Sequence, residues 1–207
     1  MTPRSRIFRD ATEIPAATLA PGRGARARCI RAFLAGALLA LLVGISSASA
    51  AQRDAQATEH QVKAAYLYKF TGYIDWSSRA HSLPTTSVVI GVMGADSVAD
   101  ELRQIVATHN PHDPPISVRA LGHGDSMVGV HILFIARTVG DPETLLAAAR
   151  ARGVMTVTES EEAFALGSVI NFVTEGDKVR FDIALRAADG AHLRISSRLL
   201  AVARKVV

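Results

Sequence analysis

Apolar positions from residue 59 onward recur in three- and four-residue steps at Val62, Tyr66, Phe70, Tyr73 and Ile74, the spacing that lines one face of a helix. Glu59 stands one turn before Lys63, a favourable pair on a helix surface. Together they predict an amphipathic helix from Glu59 to about Tyr73, ending in Asp75-Trp76-Ser77-Ser78. Ser87 to Gly94 (SVVIGVMG) is a short continuous apolar run and reads as a buried strand. Asp96 or Ser97 can cap the next helix, with Val98, Leu102, Ile105 and Val106 as its core positions. Three prolines within Thr108 to Pro115 make that stretch a loop.

Further on, Ile116 to Leu121 alternates as a strand, and His131 to Ala136 (HILFIA) is a second buried one. Asp141-Pro142-Glu143 supplies a cap, a first-turn proline and a first-turn acid for a helix to about Arg150, which Gly153 stops. Val154 to Thr158 reads as a strand and Ser160 to Ala165 as a brief helix. Ser168 to Thr174 and Lys178 to Leu185 flank Glu175-Gly176-Asp177, a hairpin pattern. A closing helix starts near Ser196 or Ser197, with Leu199, Leu200 and Ala203 on its apolar face. Strands alternate with helices and end in a hairpin. The predicted fold is therefore α/β: a single domain with a mostly parallel sheet flanked by helices and a C-terminal antiparallel hairpin.

At 207 residues, 49% hydrophobic and 20% charged, the chain can bury one ordinary core. Its net charge of +4 suggests nucleic acid until the charge is located. Seven of the 23 basic side chains but only two of the 19 acidic ones lie in residues 1–50, leaving 16 basic against 17 acidic beyond them. That balance excludes a phosphate-backbone footprint on the body of the chain. In the leader, arginines end at Arg31, the apolar stretch Ala32 to Ile45 follows, and Ala48-Ser49-Ala50 supplies small residues. This is the form of a secretory signal peptide cleaved after Ala50. Fourteen helical residues reach about 21 Å, short of the roughly 30 Å of a bilayer core. Residues 51–58 then form a flexible N-terminus and 59–207 the domain. Cys29 is the only cysteine and leaves with the leader, so the exported chain has no thiol or disulfide.

Catalytic constellations are sparse. Gly91 to Asp96 joins a strand to a helix but lacks the glycine spacing of a phosphate loop, so it reads as a plain turn. His109, His112 and Asp113, with His123 and Asp125 nearby, sit in loops without a scaffold for three converging ligands, and read as solvated. Asp125 and Ser126 stand too close to His123 in sequence to build a triad. No metal or cofactor is expected, and no enzymatic activity. Periodicity assigns Tyr66, Phe70 and Tyr73 to the core, whereas Trp76, past the helix end, suits a contact surface. Asn171 inside an apolar strand is either a satisfied buried amide or a group facing a groove. Arg180, Arg186, Arg194 and Arg198 form either a solvated charged face or an anion pocket.

Val62 to Phe70 (VKAAYLYKF), Ile74-Asp75-Trp76, His131 to Ile135, Ile170-Asn171-Phe172, Val179 to Ile183 and Leu193 to Leu200 (LRISSRLL) together, in this order, resemble the YfiR-like family of periplasmic proteins. The resemblance implies a small α/β protein, often a homodimer, that acts by binding. It implies as partner the periplasmic domain of an inner-membrane diguanylate cyclase or sensor kinase, which the protein inhibits or modulates. An outer-membrane, peptidoglycan-associated lipoprotein is implied as a second partner that sequesters it. Matching positions make Trp76, Asn171, Arg180 and Arg198 candidates for partner binding. Arg194 and Ser196 are candidates for a small ligand in the alternative role of a solute-binding module. Family members commonly carry a cysteine where Val130 stands, so redox control does not carry over.

Overall fold

The computed structural model describes Gln56 and residues 58–75, 87–109 and 114–207. Residues 1–55, which include the expected signal peptide, and Trp76, His112 and Asp113 lie outside the described residues. In chain order the elements are helix α1 (58–70), β1 (Ile74–Asp75), β2 (Val88–Met93), α2 (Asp96–Thr108), β3 (Ile116–Leu121), β4 (Ile132–Ile135), α3 (Pro142–Ala151) and β5 (Met155–Thr158). They continue with α4 (Glu161–Ala165), β6 (Ile170–Glu175), β7 (Lys178–Ile183), α5 (Leu185–Gly190), β8 (Arg194–Ile195), α6 (Ser197–Val202) and β9 (Lys205–Val206).

Seven strands form one sheet in the order β3-β2-β4-β5-β6-β7-β9. The first five are mutually parallel, β7 is antiparallel to β6, and β9 runs parallel to β7. This is the α/β sheet with a C-terminal hairpin that the alternation of patterns predicts. Consecutive side chains on a strand point to opposite faces, so each buried strand serves two cores. Ile132, Phe134, Met155, Val157, Ile170 and Phe172 pack with Ala64, Leu67 and Phe70 of α1 and with Val98 and Leu102 of α2. Leu133 and Ile135 pack instead with Leu146 and Ala149 of α3 and Ala163 of α4. Continuous apolar runs, rather than alternation, are what a sheet covered on both faces requires.

The aromatic stripe of α1 finds its partners on the hairpin. Tyr66 and Phe70 each meet the Phe181 ring edge-on at 5.3 Å between centroids, and Phe70 lies 6.0 Å from Phe172. Tyr73 departs from its predicted core position. The helix ends at residue 70, three tight turns follow through Tyr73, and the tyrosine is 36% exposed beside β1. The α2 cap also differs: Ala95 occupies the N-cap and no side chain caps the helix, while Asp96 is its first residue. Asp141 and Ser160 do cap α3 and α4, accepting from the Thr144 and Ala163 amides.

Three features carry no sequence signal: α5, the two-residue pair β1–β8, and β9. The β1–β8 ladder pairs Ile74 with Ile195 and Asp75 with Arg194. Elements of two residues are too short to display a period. The hairpin loop is Gly176-Asp177, since Glu175 pairs with Lys178. Gly176 has φ 63°, a left-handed conformation that glycine adopts without a side-chain penalty.

Candidate functional site: a cleft at the carboxyl ends of the parallel strands

In open α/β sheets, ligands bind beyond the carboxyl ends of strands, most often where the strand order reverses. Here that point lies between β2 and β4, and it is filled. Gly94, at φ 76°, packs so closely that a Cβ would stand 2.5 Å from Val139 Cγ2, and Thr138 Oγ1 donates to the Gly94 carbonyl at 3.3 Å. The Gly91-to-Asp96 segment is thus a packed turn, as its sequence suggests.

The open space lies farther along the sheet. A cleft of about 920 Å³ is bounded by Glu59 and Lys63 of α1, Arg137 and Thr138 after β4, Glu159 to Glu162 after β5, and Asn171 to Thr174 of β6. It exists because β5 ends at Thr158, opposite Asn171, while β6 continues to Glu175.

Glu159 organises the floor. Its Oε2 accepts from Lys63 Nζ at 2.5 Å and its Oε1 from the Arg137 amide at 2.9 Å. Its carbonyl accepts from Arg137 Nη2 and Nε at 2.6 and 3.1 Å. Lys63, 6% exposed, also pairs with Glu59 at 2.5 Å, so one buried ammonium bridges α1 to the end of β5. A buried charge is tolerated only when it is paired and hydrogen-bonded in this way. Sequence reasoning assigns Lys63 no role, although two signals are legible: its helical spacing from Glu59, and a glutamate standing directly after a strand.

Asn171 is 2% exposed. Its Oδ1 accepts from Thr158 Oγ1 at 3.1 Å, and its amide nitrogen has no partner among the described residues. Both readings of Asn171 are therefore half met: a buried amide satisfied on one side, on the wall of a groove on the other.

The remaining predicted residues gather elsewhere. Arg194 and Ser196 line a hollow of about 320 Å³ with Gly72, Tyr73, Ile74 and Ile195. Ser196 Oγ accepts from the Arg198 amide and so caps α6, which bears Arg198 on its exposed first turn. Arg180 is exposed on β7 opposite Val173. Arg180, Arg186, Arg194 and Arg198 have no ion pair or side-chain hydrogen bond among the described residues. Asn171 and Arg194 line separate cavities, so no pocket joins them.

The arginine that is engaged is one the sequence reading passed over. Arg204 binds both oxygens of Asp182, which is 4% exposed, and reaches Glu175 at 3.1 Å. Hydrogen bonds to Asp182 and then Glu175 raise its pKa further above the ordinary arginine value. Groups of three or more metal-ligating side chains do not occur among the described residues. His109 instead closes α2, with Nδ1 2.8 Å from the Ile105 carbonyl.

A sequence model of the YfiR/HmsC-like family matches residues 60–204. The chain belongs to the YfiR/HmsC-like family. Members of that family are periplasmic regulatory proteins of cyclic di-GMP signalling. A search of curated proteins finds no match. Among solved structures, a conserved domain protein from Vibrio cholerae O1 biovar El Tor is similar at a TM-score of 0.46 and 13% identity. The match covers 57% of this chain and 54% of that one, about half the length of each. No helix among the described residues is long and apolar enough to cross a membrane.

Proposed function

We propose that this YfiR/HmsC-like chain is exported, cleaved after Ala50, and acts in the periplasm by holding a membrane-anchored diguanylate cyclase inactive through that enzyme's periplasmic domain. Its body would be a single domain over 59–207. Family membership across residues 60–204 carries the reading. A binding partner of this kind shifts a sensor's output by preferring one of its states. In this reading the contact surface centres on the hollow beside β1 and β8. There an exposed tyrosine, Tyr73, adjoins Arg194 and Ser196, and the guanidinium of Arg194 has no ion pair or hydrogen bond among the described residues. Aromatic and arginine side chains dominate interface energetics. Arg198 extends this surface, Arg180 and Trp76 are proposed as further contacts, and carboxylates on the partner are the natural complement of guanidiniums that have no ion pair among the described residues. A peptidoglycan-associated lipoprotein that captures the protein, and a homodimeric state, complete the proposal.

The test uses host cells producing wild-type protein or the double variant Arg194→Glu/Arg198→Glu at equal periplasmic levels. Cyclic di-GMP should be low with the wild type and high with the variant. Equal levels with both would remove this surface from the interface.

A further inference from the structure

A second cleft, of about 980 Å³, opens at the opposite end of the sheet, where β4 and β5 begin. Its walls are the loop 127–131, the end of α3 with the residues up to Gly153, and the end of α5 with the residues up to His192. Four basic side chains line it, those of His131, Arg150, Arg152 and His192, and every other lining residue is apolar or glycine. No carboxylate lines it to balance them.

Basic residues at helix ends ordinarily answer the negative end of the helix dipole. Here backbone amides already meet those carbonyls. Ala149 and Arg150 accept from the amides of Arg152, Gly153 and Val154, and Ala187, Ala188 and Asp189 accept from those of Ala191, His192 and Leu193. The Arg150 guanidinium instead reaches across to the Leu166 carbonyl, to which Nη2 donates at 3.2 Å, and it has no ion pair among the described residues. A carbonyl takes its hydrogen bond and leaves its charge uncompensated. Glycines clear its path: a Cβ on Gly167 would collide with Nη2, and one on Gly190 would stand 3.7 Å from Cδ.

His192 points independently to an occupant. It has φ 55° and follows α5 at the position where a helix closes in the left-handed region, which glycine fills without a side-chain penalty. An imidazole is held there in strain, and it lines the cleft; strain of this kind collects at functional sites. On the facing wall, His131 Nδ1 accepts from the Val89 amide at 3.1 Å, which places the ring proton on Nε2 and makes that nitrogen a donor.

We infer that this cleft binds a small organic anion carrying two or more negative charges, a di- or tricarboxylate or a phosphate ester. Guanidinium matches both groups in geometry, and a singly charged ligand would leave most of the basic lining uncompensated. The anionic groups pair with Arg150 and lie against His131 and His192, while the carbon skeleton rests on Ala147 and Ala151. The cleft's volume lies within the range of small-molecule pockets. None of the residues of the proposed partner surface lines it, so this goes beyond the regulatory role.

Calorimetric titration of the protein purified from the periplasm, at low ionic strength with citrate, glycerol 3-phosphate and acetate as probes, tests the assignment. Citrate or glycerol 3-phosphate should bind saturably, and the one that does distinguishes a carboxylate from a phosphate site. Acetate should bind at least tenfold more weakly, a difference of about 1.4 kcal/mol. Arg150→Met should weaken binding of the better probe by a similar factor. His192→Gly should weaken it as well while the thermal midpoint stays level or rises, a combination that a merely structural histidine does not give. Absence of saturable binding by either multivalent anion at millimolar concentration would overturn the proposal, as would acetate binding equally well. Undiminished binding by either variant would overturn it too. A failure here would leave the cyclase response of the Arg194 and Arg198 variants untouched, so the two readings are separable.

Discussion

Lys63 is the residue whose removal should be felt most widely. It is the shared partner of Glu59 and Glu159, whose side chains are 31% and 17% exposed. Deleting one member of a fully buried pair costs roughly 3–5 kcal/mol, and partial solvation of the two glutamates lowers that figure. Lys63→Met should therefore destabilise the domain by about 2 kcal/mol, read as a lower urea midpoint with unchanged slope. An unchanged midpoint would show that the bridge is energetically idle. Arg204 behaves differently. Its pKa is raised in the fold, so its contribution is complete below the ordinary arginine value and is lost only when pH climbs past the raised one. The destabilisation caused by Arg204→Met should then be the same at neutral and at moderately alkaline pH, measured by denaturant titration at both.

At the scale of elements, the docking of α1 on the hairpin is the joint most open to test. Phe181 is 2% exposed and receives the edges of both Tyr66 and Phe70, so Phe181→Ala should cost about 3–5 kcal/mol. Gly94→Ala should cost about 2 kcal/mol, because it adds a side chain at φ 76° against Val139. Retained stability there would mean that the turn relaxes without loss. These two positions also mark what the sequence discloses. The helix stripe, the buried strands and the hairpin were legible because each repeats a period over several residues. Tyr73 misled because it continues the helical spacing after the helix has ended at residue 70. The β1–β8 pair, α5 and β9 were not legible because tertiary contacts, rather than local pattern, create them. The cleft was half legible. Asn171 stood out as a polar residue in an apolar strand, whereas the meeting of Lys63 with Glu159, 96 residues apart, depends on strand order that no local motif encodes.

For the whole molecule, the excess positive charge lies in residues 1–50, and residues 51–207 carry 16 basic against 17 acidic side chains, a balance without the footprint of a phosphate-backbone binder. The central claim is that the exported domain represses a cyclase, and it is tested most directly by measuring cyclic di-GMP in host cells with the gene deleted and then restored with or without residues 1–50. The account predicts a rise on deletion that only the form bearing the leader reverses. Unchanged cyclic di-GMP on deletion, or equal rescue by the leaderless form, would contradict it.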